Sequence, residues 1–307
     1  MIFLWILLAL AALVIGIAYV CFRMAFYISD KEKRENAMRP LPPGKEYLPY
    51  HAAMTAWQKQ VSDFPFEKVS VTSFDGLTLV GKYYERFPGA PIELMMHGYR
   101  GNANRDLCGG VQRCFACGRN ALLVDQRASG ESDGNVISFG INESKDCLTW
   151  VAFMRKHFGE DVKIILTGIS MGAATVLIAA GEELPGNVIG ALADCGYTSA
   201  KDIISKVIAD MKLPSTLAYP FVKLGARLFG GFDLDETAPI DGVKRANVPV
   251  IFFHGENDDF VPCDMSRKMY AACAGRKHLH TVPNAGHGLA FPADEATYLR
   301  VLKEFFS

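Results

Sequence analysis

The stretch Thr167-Gly168-Ile169-Ser170-Met171-Gly172 decides how this chain is read. It contains the pattern G-x-S-x-G. In front of it, Val162-Lys163-Ile164-Ile165-Leu166 is a short apolar run rich in β-branched residues, the mark of a buried strand. Behind it, Ala173 to Ala180 is a run of helix formers. Strand, sharp turn and helix make a nucleophile elbow, which lifts a serine hydroxyl above the carboxyl edge of a sheet. The two glycines permit the tight turn and the close passage of neighbouring backbone. Ser170 would then stand at the positive end of the following helix. G-x-S-x-G alone is a common loop pattern, and the plain alternative is a structural turn. The flanking strand and helix are what give it weight.

Working outward, apolar strands alternate with helical segments. Phe66–Ser73 and Leu77–Glu85 alternate around Asp75-Gly76, a hairpin signal. Strands follow at Pro91–Gly98 and Ala121–Val124, then at Val188–Ala193, Val248–Phe253 and His278–Val282. Helices are predicted at Arg105–Cys117, Asn142–Phe158, Pro262–Cys273 and Asp294–Phe306. This is an α/β pattern: a mostly parallel sheet with helices on both faces and an antiparallel hairpin at its start. Residues 197–245 break the alternation. They hold an amphipathic run (Ile203, Ile204, Val207, Ile208, Met211) and an apolar stretch broken by Pro220. A long insertion above the carboxyl edge of a sheet reads as a lid; the alternative is that it simply packs on the body.

Residues 1–22 carry no charged side chain, enough to span a bilayer as a helix. The run is too long for a signal peptide, and Tyr19-Val20-Cys21-Phe22-Arg23 is a poor cleavage site. Residues 1–28 therefore read as a transmembrane anchor. Arg23, Lys31, Lys33, Arg34 and Arg39 all follow it, so the positive-inside rule places the body in the cytoplasm. Residues 29–62 read as a charged, proline-rich linker (Pro40, Pro42, Pro43, Pro49) ending in a short helix at Ala52–Val61. Residues 63–307 form the body. On this reading, removal of residues 1–39 leaves a soluble, active protein.

The 307 residues have a net charge of -1 and no basic run, which argues against nucleic acid as a partner. The eight cysteines are scattered and read as free buried thiols; Cys114 and Cys117 form a C-x-x-C with no second pair to complete a zinc site. No metal or cofactor is expected.

Chemistry in such sheets gathers at the carboxyl ends of strands. His97-Gly98-Tyr99-Arg100-Gly101-Asn102 ends one strand in a glycine-rich turn whose N–H groups could face a developing negative charge. His254-Gly255-Glu256-Asn257-Asp258-Asp259 ends another with acids, and Leu192-Ala193-Asp194 a third. Asn284-Ala285-Gly286-His287-Gly288 follows the last strand. A serine hydroxyl needs an adjacent base, and the base needs an orienting carboxylate. Ser170 and His287 fill the first two roles, with Asp258, Asp259 and Asp194 all candidates for the third. His97 and His254 read as turn formers; His51, His157, His278 and His280 have no motif around them.

In this order the pieces resemble an α/β hydrolase of the serine esterase, lipase-like and peptidase-like branch. The resemblance runs from about Phe66 to the C-terminus, through HGYRGN, DQRASGES (Asp125–Ser132), GISMG, HGENDDFVP and NAGHG. It implies the α/β-hydrolase fold and selects Asp258 as the acid, through the H-G-x-x-D-x-x-V-P pattern. It implies backbone N–H groups of Tyr99 and Met171 as the oxyanion hole. Ala128 and Ser129 depart from the glycine and the frequent histidine of relatives. The expected activity is hydrolysis of a carboxylic ester, thioester or amide, on a small-molecule or lipid-like, moderately apolar acyl substrate. The alternatives are a serine peptidase, and a hydrolase-fold scaffold that binds at the membrane without turnover.

Overall fold

The computed structural model describes residues 1–39, 41–42 and 44–307; Pro40 and Pro43 of the expected linker lie outside the described residues. The strands are β1 (Glu67–Thr72), β2 (Thr78–Tyr84), β3 (Ile92–Met96), β4 (Asn120–Val124), β5 (Ile164–Ile169), β6 (Val188–Asp194), β7 (Val250–Gly255) and β8 (Lys277–Val282). They form one sheet in the order β1-β2-β4-β3-β5-β6-β7-β8. β1 and β2 are an antiparallel hairpin, β2 meets β4 antiparallel, and every later pairing is parallel. β3 and β4 are buried along their whole length, as strands covered on both faces must be.

The helices are α1 (Ile2–Ala25), α2 (Asp30–Met38), α3 (His51–Asp63), α4 (Ala103–Asp106), α5 (Cys108–Ala116), α6 (Ile141–Phe158) and α7 (Met171–Ala180), then α8 (Ala200–Asp210), α9 (Ser215–Gly225), α10 (Pro239–Arg245), α11 (Cys263–Ala272), α12 (Ala290–Ala293) and α13 (Glu295–Phe305). One face of the sheet buries Trp150 of α6, Val176 of α7 and Met269 of α11. The other buries Tyr298 and Leu302 of α13, with Val111 and Cys114 of α5. The α/β-hydrolase architecture expected from the sequence is therefore present.

Three local expectations need correction. The single helix expected at Arg105–Cys117 is two pieces, α4 and α5, divided at Leu107. Pro220 does not break the insertion but sits inside α9. The carbonyl it deprives of a partner belongs to exposed Thr216, where water can serve instead. The stretch read as a linker is largely helical. Ser29 caps α2 with a capping box: its hydroxyl accepts the Glu32 N–H at 3.3 Å, and Glu32 accepts the Ser29 N–H at 2.8 Å.

The end of α1 is built into the body rather than tethered to it. α1 is exposed as far as Ile17, but Ala18, Phe22, Phe26 and Ile28 are buried. Ala18 lies so close to α9 that a Cβ at Gly225 would sit 2.4 Å from the Ala18 carbonyl oxygen. The Ile28 N–H donates to Asn135 O at 2.9 Å and the Ile137 N–H to Phe26 O at 2.8 Å. Apolar Phe26 and Ile28 bury themselves, and the backbone that carries them must then pair.

Candidate active site

Ser170 joins β5 to α7 with φ 57 and ψ -117, a conformation that side-chain sterics disfavour. Its surroundings leave the backbone no other course. A Cβ at Gly168 would lie 2.0 Å from Gly172 O, and one at Gly172 2.0 Å from Met96 O. The Ser170 N–H donates to Asp194 O at 2.8 Å, which ties the turn to the end of β6.

Ser170 Oγ lies 2.9 Å from His287 Nε2, and His287 Nδ1 lies 2.7 Å from Asp258 Oδ2. An ionised carboxylate only accepts, so Nδ1 carries the proton and Nε2 is free to accept from the serine hydroxyl. Asp258 is held from several sides. Its Oδ1 accepts the N–H groups of Phe260 at 2.9 Å and Val261 at 2.7 Å. Its Oδ2 also lies 3.2 Å from His254 Nε2. Burial pushes the Asp258 pKa up, but the hydrogen bonds and charge of His254 and His287 outweigh it and hold the group well below the usual carboxylate range.

The other two acids stand apart. Asp194 Oδ2 accepts the Tyr298 hydroxyl at 3.0 Å, while Oδ1 has no partner among the described residues. Burial pushes its pKa up to about 6, against the Tyr298 hydrogen bond that lowers it. Asp259 is exposed, and it does not cap α11, whose N-cap is Pro262 without a side-chain bond.

Met171 opens α7, so its N–H has no partner within the helix. Tyr99, in the turn after β3, lines the same pocket as Ser170. That turn grips the end of α1. The Tyr99 hydroxyl donates to Ala25 O at 2.8 Å, and Arg100 Nη2 donates to Met24 O at 3.1 Å and Tyr27 O at 2.9 Å. A guanidinium on the free carbonyls of a helix end is favoured by hydrogen bonding and by the helix dipole. On its other side the turn is braced by the Asp125–Ser132 segment. The Gln126 N–H donates to His97 Nε2 at 3.0 Å, and the Ser129 hydroxyl donates to Gly101 O at 3.0 Å. Ala128 takes φ 62, the left-handed conformation for which glycine is the easier residue.

Beside Ser170 lies an apolar pocket of about 480 Å³. α8 and α9 contribute Ile204, Val207, Ala218 and Val222, and the end of α1 contributes Cys21, Met24 and Ala25. Cys195 Sγ sits within 4.8 Å of ligand atoms of Asp258 and His287. Burial pushes its thiol well above the usual range, so it stays protonated and a poor metal ligand. All eight cysteines are free, including Cys114 and Cys117.

The sequence profile of the prolyl oligopeptidase family matches residues 138–307. The chain belongs to the prolyl oligopeptidase family. It is 28% identical over 189 residues to protein YqkD of Bacillus subtilis, covering 61% of this chain and 62% of that one. It is 24% identical over 250 residues to protein bem46 of Schizosaccharomyces pombe, covering 79% of this chain and 77% of that one. In three dimensions it is similar to the Pyrococcus furiosus esterase Pf2001, with a TM-score of 0.65 at 22% identity over 80% of this chain and 92% of that one. It is also similar to an acylaminoacyl peptidase of Pyrococcus horikoshii, with a TM-score of 0.57 at 17% identity over 81% and 42%. At such identities the likeness is one of fold.

In this prolyl oligopeptidase family member, three contributors to the site carry no sequence signal that points to them. His254 forms its turn as expected, donating to Val261 O at 2.8 Å, but the same nitrogen also faces Asp258. Tyr47, in the expected linker, donates its hydroxyl to His287 O at 2.9 Å. The ring of Phe260 stands edge-on to His287, with centroids 5.1 Å apart.

Proposed function

We propose that the chain is a membrane-anchored serine hydrolase that cleaves a carboxylic ester through an acyl-enzyme. His287 Nε2 takes the Ser170 proton as Oγ attacks the carbonyl carbon. The oxyanion forms against the N–H groups of Tyr99 and Met171, and Asp258 stabilises the imidazolium. Collapse of the adduct breaks the bond to the leaving alkoxide, which receives the proton from His287. Water, deprotonated by the same nitrogen, then attacks the acyl-enzyme and releases the acid and the free serine. The observation that carries this reading is the unbroken run of hydrogen bonds from Asp258 through His287 to Ser170, beside an apolar pocket. Residues 197–245 serve as the lid over that pocket. α1 serves as the anchor, and the cations after it keep the body on the cytoplasmic side.

Membership of the prolyl oligopeptidase family favours a second reading, in which the scissile bond is an amide. The same residues would serve, with His287 protonating the amine. A fluorophosphonate probe tests the core of both: it should label the native chain and not Ser170→Ala. Relative rates on p-nitrophenyl esters and on aminoacyl p-nitroanilides then choose between them. Equal labelling of Ser170→Ala would refute the mechanism.

A further inference from the structure

α1 is 24 residues long, but from Ala18 onward one of its faces, with Ala18 and Phe22, packs on the body. The part left to cross a membrane, Ile2–Ile17, is roughly 24 Å long at 1.5 Å per residue. The hydrocarbon core of a bilayer is about 30 Å thick. The shortfall has to be met by the protein surface around the helix end. That surface is apolar: Leu217, Leu228 and Phe229 are 68%, 54% and 37% exposed. Phe229 packs its ring on Tyr19 and Phe22 of α1, with centroids 5.1 and 5.8 Å apart, so the patch is continuous with the helix. Met211 and Leu213 line the pocket beside Ser170 while remaining about half exposed, at 51% and 50%. The pocket rim and the Phe229 patch thus both adjoin the end of α1, which supplies part of the pocket wall.

We infer that the face carrying Leu213, Leu217, Leu228 and Phe229 is sunk in the bilayer beside α1, and that the pocket draws one acyl chain of a membrane lipid ester directly from the hydrocarbon. This rests on Ser170 being the nucleophile. A pocket of about 480 Å³ is the size of sites that enclose one small ligand, and its walls offer a hydrocarbon chain an apolar surround. A chain moving from lipid into such walls keeps an apolar environment throughout, whereas one taken from water must first leave the bilayer. The Lys212 ammonium, exposed between Met211 and Leu213, can reach the headgroup level on its long stem.

The test uses the full chain in nanodiscs of ether-linked phosphatidylcholine, which it cannot deacylate. Fluorophosphonate labelling comes first, then kcat/KM on p-nitrophenyl esters from acetate to laurate. With kcat/KM referred to the ester free in water, each methylene buried in the pocket should raise it about fourfold until the pocket is filled. Ala25→Trp and Ala218→Trp, which fill the pocket from α1 and from α9, should each lower the laurate-to-acetate ratio at least tenfold. Leu10→Trp, on the exposed part of α1, should leave that ratio unchanged. The double variant Leu217→Lys/Leu228→Lys leaves the walls intact but lifts the rim from the hydrocarbon, and should also lower the ratio at least tenfold. Failure of the native chain to label sinks the nucleophile and the inference with it. Labelling with a flat chain-length profile, or with wall variants that leave the ratio unchanged, overturns the acyl site alone. An unchanged ratio in the double lysine variant overturns uptake from the bilayer.

Discussion

Asp258→Asn is the substitution that separates the proposed acid from its rivals most sharply. The carboxylate Oδ1 accepts two backbone N–H groups, from Phe260 and Val261, at 2.9 and 2.7 Å. An asparagine must keep its one oxygen there, because its amide NH₂ would otherwise face two donors. The NH₂ therefore takes the Oδ2 position and points at His287 Nδ1, which lies 2.7 Å away in the native site. Two donors cannot share that bond, so the imidazole moves its proton to Nε2 and presents a donor to Ser170 Oγ. The base is then lost, not merely weakened. Enforcing the wrong tautomer in this way costs about 10⁴ in kcat, or about 5.4 kcal/mol in the barrier. Asp194→Asn makes the opposite prediction. Its oxygen can still accept the Tyr298 hydroxyl, and no native bond joins Asp194 to His287, so kcat should stay within about threefold. The assay is single-turnover release of p-nitrophenol at matched folded fraction, with fluorophosphonate labelling rates beside it. The reasoning fails if Asp258→Asn retains more than a tenth of native kcat, or if Asp194→Asn is the crippled variant.

Three further outcomes are expected. The Asp194 pKa is pushed up from 3.8 to about 6, so folding holds its proton more tightly; the cost of the buried carboxylate is absent below pH ~4 and complete once pH has risen past about 6. Asp194→Asn should therefore gain on the native chain by about 3 kcal/mol between pH 3 and pH 7 in detergent unfolding curves, and a difference independent of pH would contradict this. Glu93, fully buried, bonds Arg113 at 2.6 Å and Arg119 at 2.8 Å; Glu93→Gln leaves buried guanidinium charge uncompensated and should cost about 3–5 kcal/mol by denaturant titration. Deleting residues 1–39 should give an aggregating product or one with kcat/KM reduced at least a hundredfold, because it strips Phe22, Phe26 and Ile28 from the core and three carbonyl partners from Tyr99 and Arg100. A soluble, fully active truncation would refute that.

What was legible in the sequence was what is local or strictly ordered. The elbow could be read because strand, glycines, serine and helix are contiguous. The sheet could be read because β3 to β7 are short, largely apolar runs with helical segments between them. The pattern of the resembled family singled out Asp258, whereas the residues by themselves left Asp194 open; the structure turns the Asp194 side chain toward Tyr298, a direction that a sequence does not record. Contacts between distant segments were illegible for the same reason. Tyr47 and His287 are 240 residues apart, and Tyr99 and Ala25 are 74 apart. Nothing near Tyr47 distinguishes it from a surface residue, and the motif around Tyr99 points to its backbone N–H rather than to its hydroxyl. The charged residues of α2 suggested a solvated linker, but Asp30, Lys31, Arg34 and Glu35 are its solvent face while Lys33 donates to Ser132 O of the body, and the capping box at Ser29 was the overlooked helix signal.

The end of α1 is where the proposed anchor and the proposed chemistry meet. A helix that only tethers the body would end in water, its last carbonyls hydrated and its neighbours indifferent to it. Here the last carbonyls of α1 are taken by Tyr99 and Arg100, the residues of the turn proposed to hold the oxyanion, and Arg100 takes φ 52 to reach them. That conformation costs of order 1 kcal/mol for a residue other than glycine and persists only where neighbours over-determine it. The helix end supplies two backbone acceptors to the guanidinium and a third to Tyr99, and the same residues form a wall of the pocket. A shift of α1 relative to the body therefore has to move the Tyr99 turn or break its bonds. The placement of α1 and the geometry of the proposed oxyanion site are consequently one structural variable, which ties the proposed activity to how α1 is seated.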